Sequence, residues 1–234
     1  MPASSVYVLP PPATPCVAIA GSKQFFPVRR IYCVGRNYAE HAREMGADPT
    51  REPPFFFMKP GDAVVGDGAR LAYPGQTRDL HYEAELVVAI SGSGENLSAE
   101  QAKALVFGYA VGLDMTRRDL QAQLKKGGKP WDMAKGFDRS APCGAIEPAA
   151  RIGHPATGRI QLQQNGVVKQ DADIGDLTWA VPELLANLST FVRLEPGDLV
   201  FTGTPAGVGP CVPGDRLRAT VDGVGEVSVE IVER

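Results

Sequence analysis

Two glutamates, Glu83 and Glu85, lie in a segment that alternates polar and apolar side chains before running into aliphatic residues. This pattern is typical of a β-strand. His81 and both glutamates should therefore share one face, while alternate residues from Tyr82 to Ile90 form the other, which we interpret as core. The two carboxylates would lie roughly 7 Å apart at their Cα atoms. At an effective dielectric constant of about 20 their repulsion costs about 2 kcal/mol. A buried strand tolerates that cost when a proton or a cation offsets it, although an isolated pair is more often a harmless feature of a solvated edge strand.

A third carboxylate, Asp114, ends a predicted strand that begins at Val106. One face of this strand carries only glycine and alanine, which leaves room for something to approach the aspartate closely. Three acidic oxygen ligands without a histidine–cysteine cluster select a hard cation: Mg²⁺, Mn²⁺ or Ca²⁺. Three carboxylates around a divalent ion leave a mildly anionic site with open positions, so we expect a catalytic metal. His81 is either a partner of this site or an ordinary core histidine.

A second group, His41 and Glu44, lies in a short helix predicted to start at Asn37 and to run through Met45. A spacing of three residues places both side chains on one helical face. A carboxylate beside an imidazole orients the ring and raises its basicity, so that it can take a proton from water. Taken alone, the pair equally fits an ordinary surface contact worth roughly a few tenths of a kcal/mol.

Several residues are candidates for binding an anionic ligand: Arg36, Lys59, Arg118, Gln121 and Lys135. Trp131 is either a wall of such a pocket or plain core. The cluster of basic residues between positions 117 and 129 indicates either a solvated helix end or the binding of an anionic ligand, and we favour the helix end for most of them. The glycine-rich segment from Thr202 to Gly209 lacks the nucleotide-phosphate loop pattern. Its backbone amides and the hydroxyls of Thr202 and Thr204 could hold a carboxylate, and a plain turn between strands explains it equally well.

The distribution of glycine and proline along the chain favours a strand-rich fold. Its 26 glycines and 20 prolines separate short apolar runs, which indicates many turns rather than a helical bundle. Phe55 to Met58 is predicted as a buried strand, and hairpins are predicted around Asn165-Gly166 and Asp222-Gly223. One short helix is predicted from a capping box at Ser98 through about Leu105. Two further helices are predicted, one starting at Thr116 with Asp119 and one near Pro182 that carries inward Leu184, Leu185, Leu188, Phe191 and Val192.

Composition excludes some classes of protein. The 234 residues, with 44% hydrophobic and 22% charged, describe an ordinary globular protein, and the net charge of −3 gives no support for nucleic-acid binding. No apolar run approaches the roughly 20 residues of a membrane span, and no basic-then-apolar signal region is present. The four cysteines are far apart, which fits reduced thiols in a cytoplasmic protein. We expect a proline-rich arm over residues 1–28 and a single catalytic domain over 29–234.

The motifs taken together resemble the fumarylacetoacetate hydrolase family. The motifs follow the order of the family from about residue 29 to the C-terminus. The resemblance does not extend into the arm before residue 29. Two further runs, Phe26 to Arg30 and Arg51 to Phe57, are most similar to its bacterial fumarylpyruvate and acylpyruvate hydrolases. The motifs that carry it are Gly35-Arg36-Asn37-Tyr38, His41 with Glu44, Phe57-Met58-Lys59-Pro60, Glu83 with Glu85, Gly112 to Thr116, Arg118-Asp119, Lys135-Gly136-Phe137, Pro196-Gly197-Asp198 and Thr202 to Pro205.

The resemblance implies a fold and a set of roles. The fold would be α+β and β-rich, a roll or sandwich of mixed β-sheets with short helices, and the protein would be a homodimer. Mg²⁺ or Mn²⁺ would be bound by Glu83, Glu85 and Asp114. His41 and Glu44 would activate water. Lys135 would lie near the substrate carbonyls, with Arg118, Gln121 and Thr204 at substrate-side positions; Arg36 and Lys59 are further candidates for binding a distal carboxylate.

The activity implied is hydrolysis of a carbon–carbon bond in a 2,4-dioxo acid (an acylpyruvate), foremost fumarylpyruvate in the breakdown of gentisate. Two alternatives keep the metal but change the reaction: decarboxylation of oxaloacetate and isomerisation of a related dioxo acid. A third is a metal-stabilised binding or structural protein without turnover. The ligand set alone does not separate these possibilities, because the enzymatic ones share a pyruvate-like end of the substrate.

Overall fold

The computed structural model describes residues 7–38 and 52–234. The predicted helix from Asn37 through Met45 lies outside these residues apart from its first two positions, and so do His41 and Glu44. The helices are α1 (Ala99–Lys103), α2 (Arg118–Lys126), α3 (Asp132–Lys135), α4 (Ala149–Ile152) and α5 (Val181–Phe191). The strands are β1 (Cys16–Ala18), β2 (Phe25–Pro27), β3 (Ile31–Gly35), β4 (Phe55–Lys59), β5 (Val64–Val65), β6 (Ala69–Ala72), β7 (Leu80–Tyr82), β8 (Ala84–Ile90), β9 (Val106–Leu113), β10 (Thr116–Arg117), β11 (Ala141–Pro142), β12 (Glu147–Pro148), β13 (Arg159–Gln164), β14 (Val167–Asp173), β15 (Leu199–Phe201), β16 (Gly209–Cys211), β17 (Arg216–Val221) and β18 (Gly225–Val232).

Two larger sheets organise the fold. One has six strands in the order β12-β9-β8-β15-β3-β4, and the other has five in the order β14-β13-β17-β18-β6. Both are mixed, because β15 runs parallel to β3 and β18 runs parallel to β6 while their other pairs are antiparallel. The prediction of a β-rich α+β fold of mixed sheets with short helices is confirmed.

Buried side chains form two cores, one on each face of the six-stranded sheet. The first core joins the two sheets and α5, and it includes Leu86, Leu162 and Leu185. The second core covers the opposite face and includes Val17 and Phe26 from the N-terminal strands. The division into an arm over 1–28 and a domain over 29–234 stays a prediction, although β1 and β2 clearly contribute to this second core.

Strand β8 carries the predicted alternation, but both of its faces are buried. Leu86 and Val88 lie in the first core, whereas Val87 and Ala89 lie in the second. The prediction of a strand with a single dry face is therefore wrong here, because the six-stranded sheet is covered on both sides. Glu83 sits at the break between β7 and β8.

Local sequence signals predicted several elements correctly. The hairpin between β13 and β14 turns at Asn165 and Gly166, whose φ angles of 54° and 81° are those of the expected tight turn. The β17–β18 hairpin also forms as predicted. Ser98 and Gln101 make the reciprocal capping box of α1, although the helix ends at Lys103 rather than near Leu105.

Three predictions about element ends and burial are wrong. Helix α2 begins at Arg118 and not at Thr116; instead of capping it, Asp119 accepts hydrogen bonds from the Thr77 hydroxyl and the Arg78 amide. Strand β4 is an edge strand, and its Met58 is 43% exposed rather than buried. Phe191, at the end of α5, is 70% exposed, because the helix turns this position away from the first core.

The cysteines are not paired with one another. All four cysteines are free thiols; Cys33, Cys143 and Cys211 are buried and Cys16 is exposed. Within the described residues, no helix is both long enough and apolar enough to span a membrane.

Candidate metal and substrate site

Two neighbouring strands of the six-stranded sheet bring three carboxylates together. Strands β8 and β9 pair antiparallel with Glu85 opposite Gly112, and Asp114 follows directly at the end of β9. The backbone amide of Asp114 donates to the carbonyl of Glu83, 2.8 Å away. One carboxylate oxygen from each of Glu83, Glu85 and Asp114 lies within 4.8 Å of the other two, and all three residues are buried. The predicted convergence is confirmed, and we call these residues the carboxylate triad.

The small residues of β9 have a different use from the one predicted. A Cβ atom at Gly112 would lie 2.6 Å from the side chains of both Phe201 and Val87, which belong to the second core. One at Gly108 would lie 2.4 Å from the carbonyl oxygen of Glu147. The absence of side chains here lets neighbouring strands pack closely, so it makes room for the core rather than for a ligand.

Buried cations offset much of the negative charge of the triad. The Nζ atom of Lys135 donates to Glu83 at 2.8 Å and to Asp114 at 2.6 Å. The guanidinium of Arg118 donates to the other oxygen of Glu83. Burial by itself would lower the pKa of Lys135, but Asp114 and Glu83 more than compensate, so that its pKa is raised and the ammonium group stays charged.

Lys59 is placed differently from the substrate-binding residue that was predicted. Its side chain is fully buried, and its Nζ atom donates to the carbonyls of Met115 and Lys135 and lies 2.8 Å from Asp114 Oδ1. It is not among the residues that line the pocket described below. The ammonium group is thus a fixed countercharge for Asp114, and nothing in its position supports contact with a substrate.

The donor set of the triad fits a divalent cation. Asp114 Oδ1 is buried and forms an ion pair with Lys59 Nζ, 2.8 Å away, without a well-aligned hydrogen bond. Burial, followed by the charges of Asp114 and Glu83, holds the pKa of Glu85 well above its ordinary value. A buried carboxyl group whose ionisation is disfavoured indicates a position that a divalent cation would stabilise. All three groups are hard oxygen donors, as Mg²⁺ and Mn²⁺ prefer.

The glycine-rich segment after β15 holds a carboxylate, and that carboxylate belongs to the protein. The amide of Gly203 donates to Glu85 Oε2 at 2.7 Å. Asn37, which sequence reasoning treated only as a helix cap, fixes this segment: its side-chain amide donates to the carbonyls of Thr202 and Trp179. Gly203 packs against Asn37 with a φ of +101°, a backbone conformation that favours glycine.

Gln170 is a second residue that the sequence did not reveal. It is fully buried. It accepts a hydrogen bond from the amide of Ala84 and donates to the Thr204 hydroxyl and the Pro205 carbonyl. It therefore ties β8, which carries Glu85, to the glycine-rich segment. The sequence around Gln170 does not predict this role, because a polar residue in a hairpin strand is common and is normally exposed to solvent.

His81 lies beside the site rather than in an apolar core. Its Nε2 atom is 2.9 Å from Asp79, and its Nδ1 atom accepts a hydrogen bond of 3.3 Å from Arg118. Burial and then the charge of Arg118 lower the pKa of His81, which favours the neutral ring that can accept this bond. Of the two interpretations left open, a partner of the site is the one that agrees with these contacts.

A pocket of about 400 Å³ opens from the triad. At its inner end lie Glu83, Glu85, Lys135 and Thr204. Its walls include the predicted residues Arg36, Arg118 and Gln121, the aromatic rings of Phe55, Phe57 and Trp131, and the helix residues Ala122, Lys125 and Lys126. The structure thus brings together every predicted site residue within the described part of the chain, although Lys59 and Asp114 do not line the pocket. The roles of His41 and Glu44 stay predictions.

Comparison with known proteins agrees with this fold and site. A family model described as "Fumarylacetoacetate (FAA) hydrolase C-terminal" matches residues 30–232. The crystal structure of fumarylpyruvate hydrolase from Pseudomonas aeruginosa in complex with Mn²⁺ and pyruvate is similar at a TM-score of 0.96, with 54% identity over 98% of this chain and 100% of that one.

Two curated relatives carry different activities. Fumarylpyruvate hydrolase from a Ralstonia species is 44% identical over 184 residues, 79% of this chain and 95% of the relative. Oxaloacetate tautomerase from Escherichia coli is 40% identical over 199 residues, 85% of this chain and 90% of the relative. Three buried carboxylates that could hold a divalent metal lie beside the pocket, and the chain belongs to the fumarylacetoacetate hydrolase family.

Proposed function

We propose that this protein is a metal-dependent hydrolase that cleaves a carbon–carbon bond of an acylpyruvate, converting fumarylpyruvate to fumarate and pyruvate. The observation that carries the proposal is the buried carboxylate triad at the inner end of an otherwise cationic pocket. A chain that is 54% identical over nearly the whole length bears the name of this activity and binds Mn²⁺ and pyruvate. Pyruvate is also the product that would remain at the triad.

Glu83, Glu85 and Asp114 would hold Mg²⁺ or Mn²⁺. When bound, the cation supplies Lewis-acid polarisation and a template for the carboxylate and 2-oxo oxygens of the substrate. The chain's own residues do the rest of the positioning. Lys135 keeps Glu83 and Asp114 close together, and Arg118 with Gln121 presents donors at the wall of the pocket.

The bond-breaking step needs a base and a group that stabilises developing negative charge. We assign His41, oriented by Glu44, to remove a proton from the water that attacks the C4 carbonyl. Lys135 and the backbone near Thr204 would donate to the oxygen on which charge develops. The water becomes part of the new carboxyl group of fumarate. The C3–C4 bond breaks, its electron pair stays on C3, and C3 takes up a proton to give pyruvate.

Oxaloacetate chemistry is the second candidate function. It is favoured by the 40% identity to an oxaloacetate tautomerase over 85% of this chain. Tautomerisation, like the decarboxylation considered above, begins from the same 2-oxo acid end of the substrate. It would not need the length of the pocket, which runs from the triad along α2 as far as Lys125 and Lys126. That extent favours the longer acylpyruvate substrate.

A steady-state comparison of fumarylpyruvate, acetylpyruvate and oxaloacetate separates these functions. We expect the highest kcat/KM for fumarylpyruvate, with fumarate and pyruvate formed in equal amounts only when Mg²⁺ or Mn²⁺ is present. Rapid enol–keto conversion of oxaloacetate without cleavage of any acylpyruvate would instead support the tautomerase. Release of CO₂ would identify a decarboxylase, and activity unaffected by EDTA would exclude the metal from the reaction.

The biological setting is also a proposal. The named hydrolase relatives support a cytoplasmic enzyme of aromatic (gentisate) catabolism that acts on a small-molecule substrate. We further propose a homodimer, in keeping with the family resemblance. The exposed side chains of Met58 on edge strand β4 and of the neighbouring Met133 are surfaces that a second copy would cover. Analytical ultracentrifugation tests this directly: a single species at the mass of one chain would contradict it.

A further inference from the structure

Two lysines of α2 face the pocket rather than bulk solvent alone. Arg118, Gln121, Ala122, Lys125 and Lys126 all line the pocket. The last four lie three, four, seven and eight residues after Arg118, so all five residues lie on one face of the helix. The sequence left two interpretations open for this basic cluster, a solvated helix end or the binding of an anionic ligand, and the helix end was favoured for most of its residues. In the structure, the lysines at this end of α2 instead extend a row of polar side chains that begins at the triad and includes Arg118 and Gln121. We call this row the polar stripe.

The charges along this stripe are used differently at its two ends. At the inner end, Arg118 and Lys135 are committed to protein carboxylates. At the outer end, Lys125 and Lys126 have no carboxylate partner among the described residues. Arg36 adds a third cation to the same pocket, with its guanidinium 5.7 Å from the centre of the Phe55 ring. Among the residues that the structure describes, the outer half of the pocket therefore has an excess of positive charge that no carboxylate neutralises.

The distance between the two ends suits an elongated ligand. Lys125 is two helical turns from Arg118, which corresponds to about 10 Å along the helix axis. Aromatic rings line the pocket beyond its inner end: the Phe57 ring centre lies 5.0 Å from Lys135 Nζ, and the Trp131 ring lies 6.0 Å from that of Phe57. The pocket thus offers a metal-binding head site, an apolar and aromatic middle, and a cationic end.

We propose that Lys125 and Lys126 bind the distal carboxylate of the substrate and thereby select dicarboxylic acylpyruvates over those with a neutral acyl group. This inference rests on the proposed function, because it places the pyruvate-like end of the substrate at the triad. The two lysines are exposed and flexible, so each acts as a mobile point charge rather than a rigid clamp. They are specificity residues, and the chemistry at the triad does not require them.

Equilibrium binding tests this inference without depending on turnover. The probes are 2-oxoheptanedioate and 2-oxoheptanoate, which share a 2-oxo acid head and differ only in the distal carboxylate. Neither has a 4-oxo group, so neither can undergo the proposed cleavage. Calorimetric titrations in Mg²⁺ would compare the unaltered protein with the double variant Lys125→Gln/Lys126→Gln. Lys129→Gln is the matched control, because Lys129 is exposed just beyond α2 and does not line the pocket.

We expect the unaltered protein and the Lys129→Gln variant to bind the diacid about 10- to 100-fold more tightly than the monoacid, as loss of a charged hydrogen-bond partner would suggest. The double variant should lose this preference and keep its affinity for the monoacid. If the double variant still binds the diacid more tightly than the monoacid, the two lysines do not bind the distal carboxylate. If neither probe binds to any of the three proteins, the head site itself is wrong, and the proposed function fails together with this inference.

Discussion

At the scale of single residues, the site depends on how three buried acidic groups share charge with their neighbours. Glu83 and Asp114 are each paired with buried or half-buried cations, whereas Glu85 accepts a hydrogen bond from the neutral backbone amide of Gly203. Glu85 is therefore the member of the triad whose ionisation depends most on a bound cation. Its substitution should separate metal binding from folding.

Glu85→Gln should stabilise the metal-free protein or leave it unchanged, and it should abolish stabilisation by metal. The amide keeps an acceptor for Gly203 and removes a charge that burial and two carboxylates disfavour. In the unaltered protein, Mn²⁺ at about 100 times its Kd should add about 2.7 kcal/mol to the stability. Differential scanning fluorimetry with and without Mn²⁺ measures both effects, with the exposed Glu100→Gln as control. A Glu85→Gln protein that retains the full Mn²⁺ shift would remove Glu85 from the ligand set.

The benefit of metal should grow with pH. The folded protein holds the proton of Glu85 more tightly than the unfolded chain does, because burial, Asp114 and Glu83 raise its pKa well above 4.5. Raising the pH through this window therefore lowers the stability of the metal-free protein. Lys135 does not alter this trend, since its raised pKa keeps it charged throughout. We expect the rise in Tm on adding Mg²⁺ to be larger at about pH 8 than at about pH 5.5; an equal rise at both would contradict the raised pKa.

His41 should matter for rate and not for stability. If His41 is the base that activates water, His41→Ala should reduce kcat on fumarylpyruvate by about 10²- to 10⁴-fold. Mn²⁺ binding and Tm should stay near those of the unaltered protein, because the triad is assembled from other elements. Cleavage at an unchanged rate would show that another group takes the proton.

At the scale of elements, the glycine-rich segment after β15 positions Glu85 through its backbone, and two glycines allow this to be tested. Gly203 and Gly214 have nearly the same φ, +101° and +98°. A Cβ atom at Gly203 would lie 2.8 Å from that of Asn37, whereas one at Gly214 would meet nothing within 4 Å. Substitution by alanine thus imposes a similar backbone cost at both positions but a steric conflict only at the first.

Gly203→Ala and Gly214→Ala should each lose about 1–2 kcal/mol of stability from the left-handed backbone. Only Gly203→Ala should also weaken Mn²⁺ binding, by roughly 10-fold, because relief of the conflict moves the Gly203 amide away from Glu85. Chemical denaturation and Mn²⁺ titration measure the two effects separately. Equal Mn²⁺ affinity in both variants would show that this amide does not position the metal ligand.

Elements defined by short-range signals were predictable, and those defined by distant partners were not. The Asn165-Gly166 turn and the Ser98 capping box depend on residues within a few positions of one another. The start of α2 was misjudged because Asp119 bonds to Thr77, which is 42 positions away in the chain. Likewise, the partner that fills the space beside Gly112 is Phe201, a residue of a different strand.

At the scale of the whole molecule, net charge conceals the charge distribution that matters. The chain carries a net charge of −3, yet one pocket gathers Arg36, Arg118, Lys125, Lys126 and Lys135 around an acidic triad. The triad could be predicted from sequence, because Glu83 and Glu85 lie two residues apart in one alternating segment and Asp114 ends the predicted strand that begins at Val106. The countercharge role of Lys59 and the outer position of the α2 lysines depend on tertiary packing, which no spacing rule encodes.

The central claim is that Glu83, Glu85 and Asp114 together bind one divalent cation, and an anomalous difference map of a Mn²⁺-soaked crystal tests it most directly. We predict a single strong manganese peak inside the pocket, about 2 Å from a carboxylate oxygen of each of these residues. A peak elsewhere, or none at this position with Mn²⁺ in excess, would contradict the account.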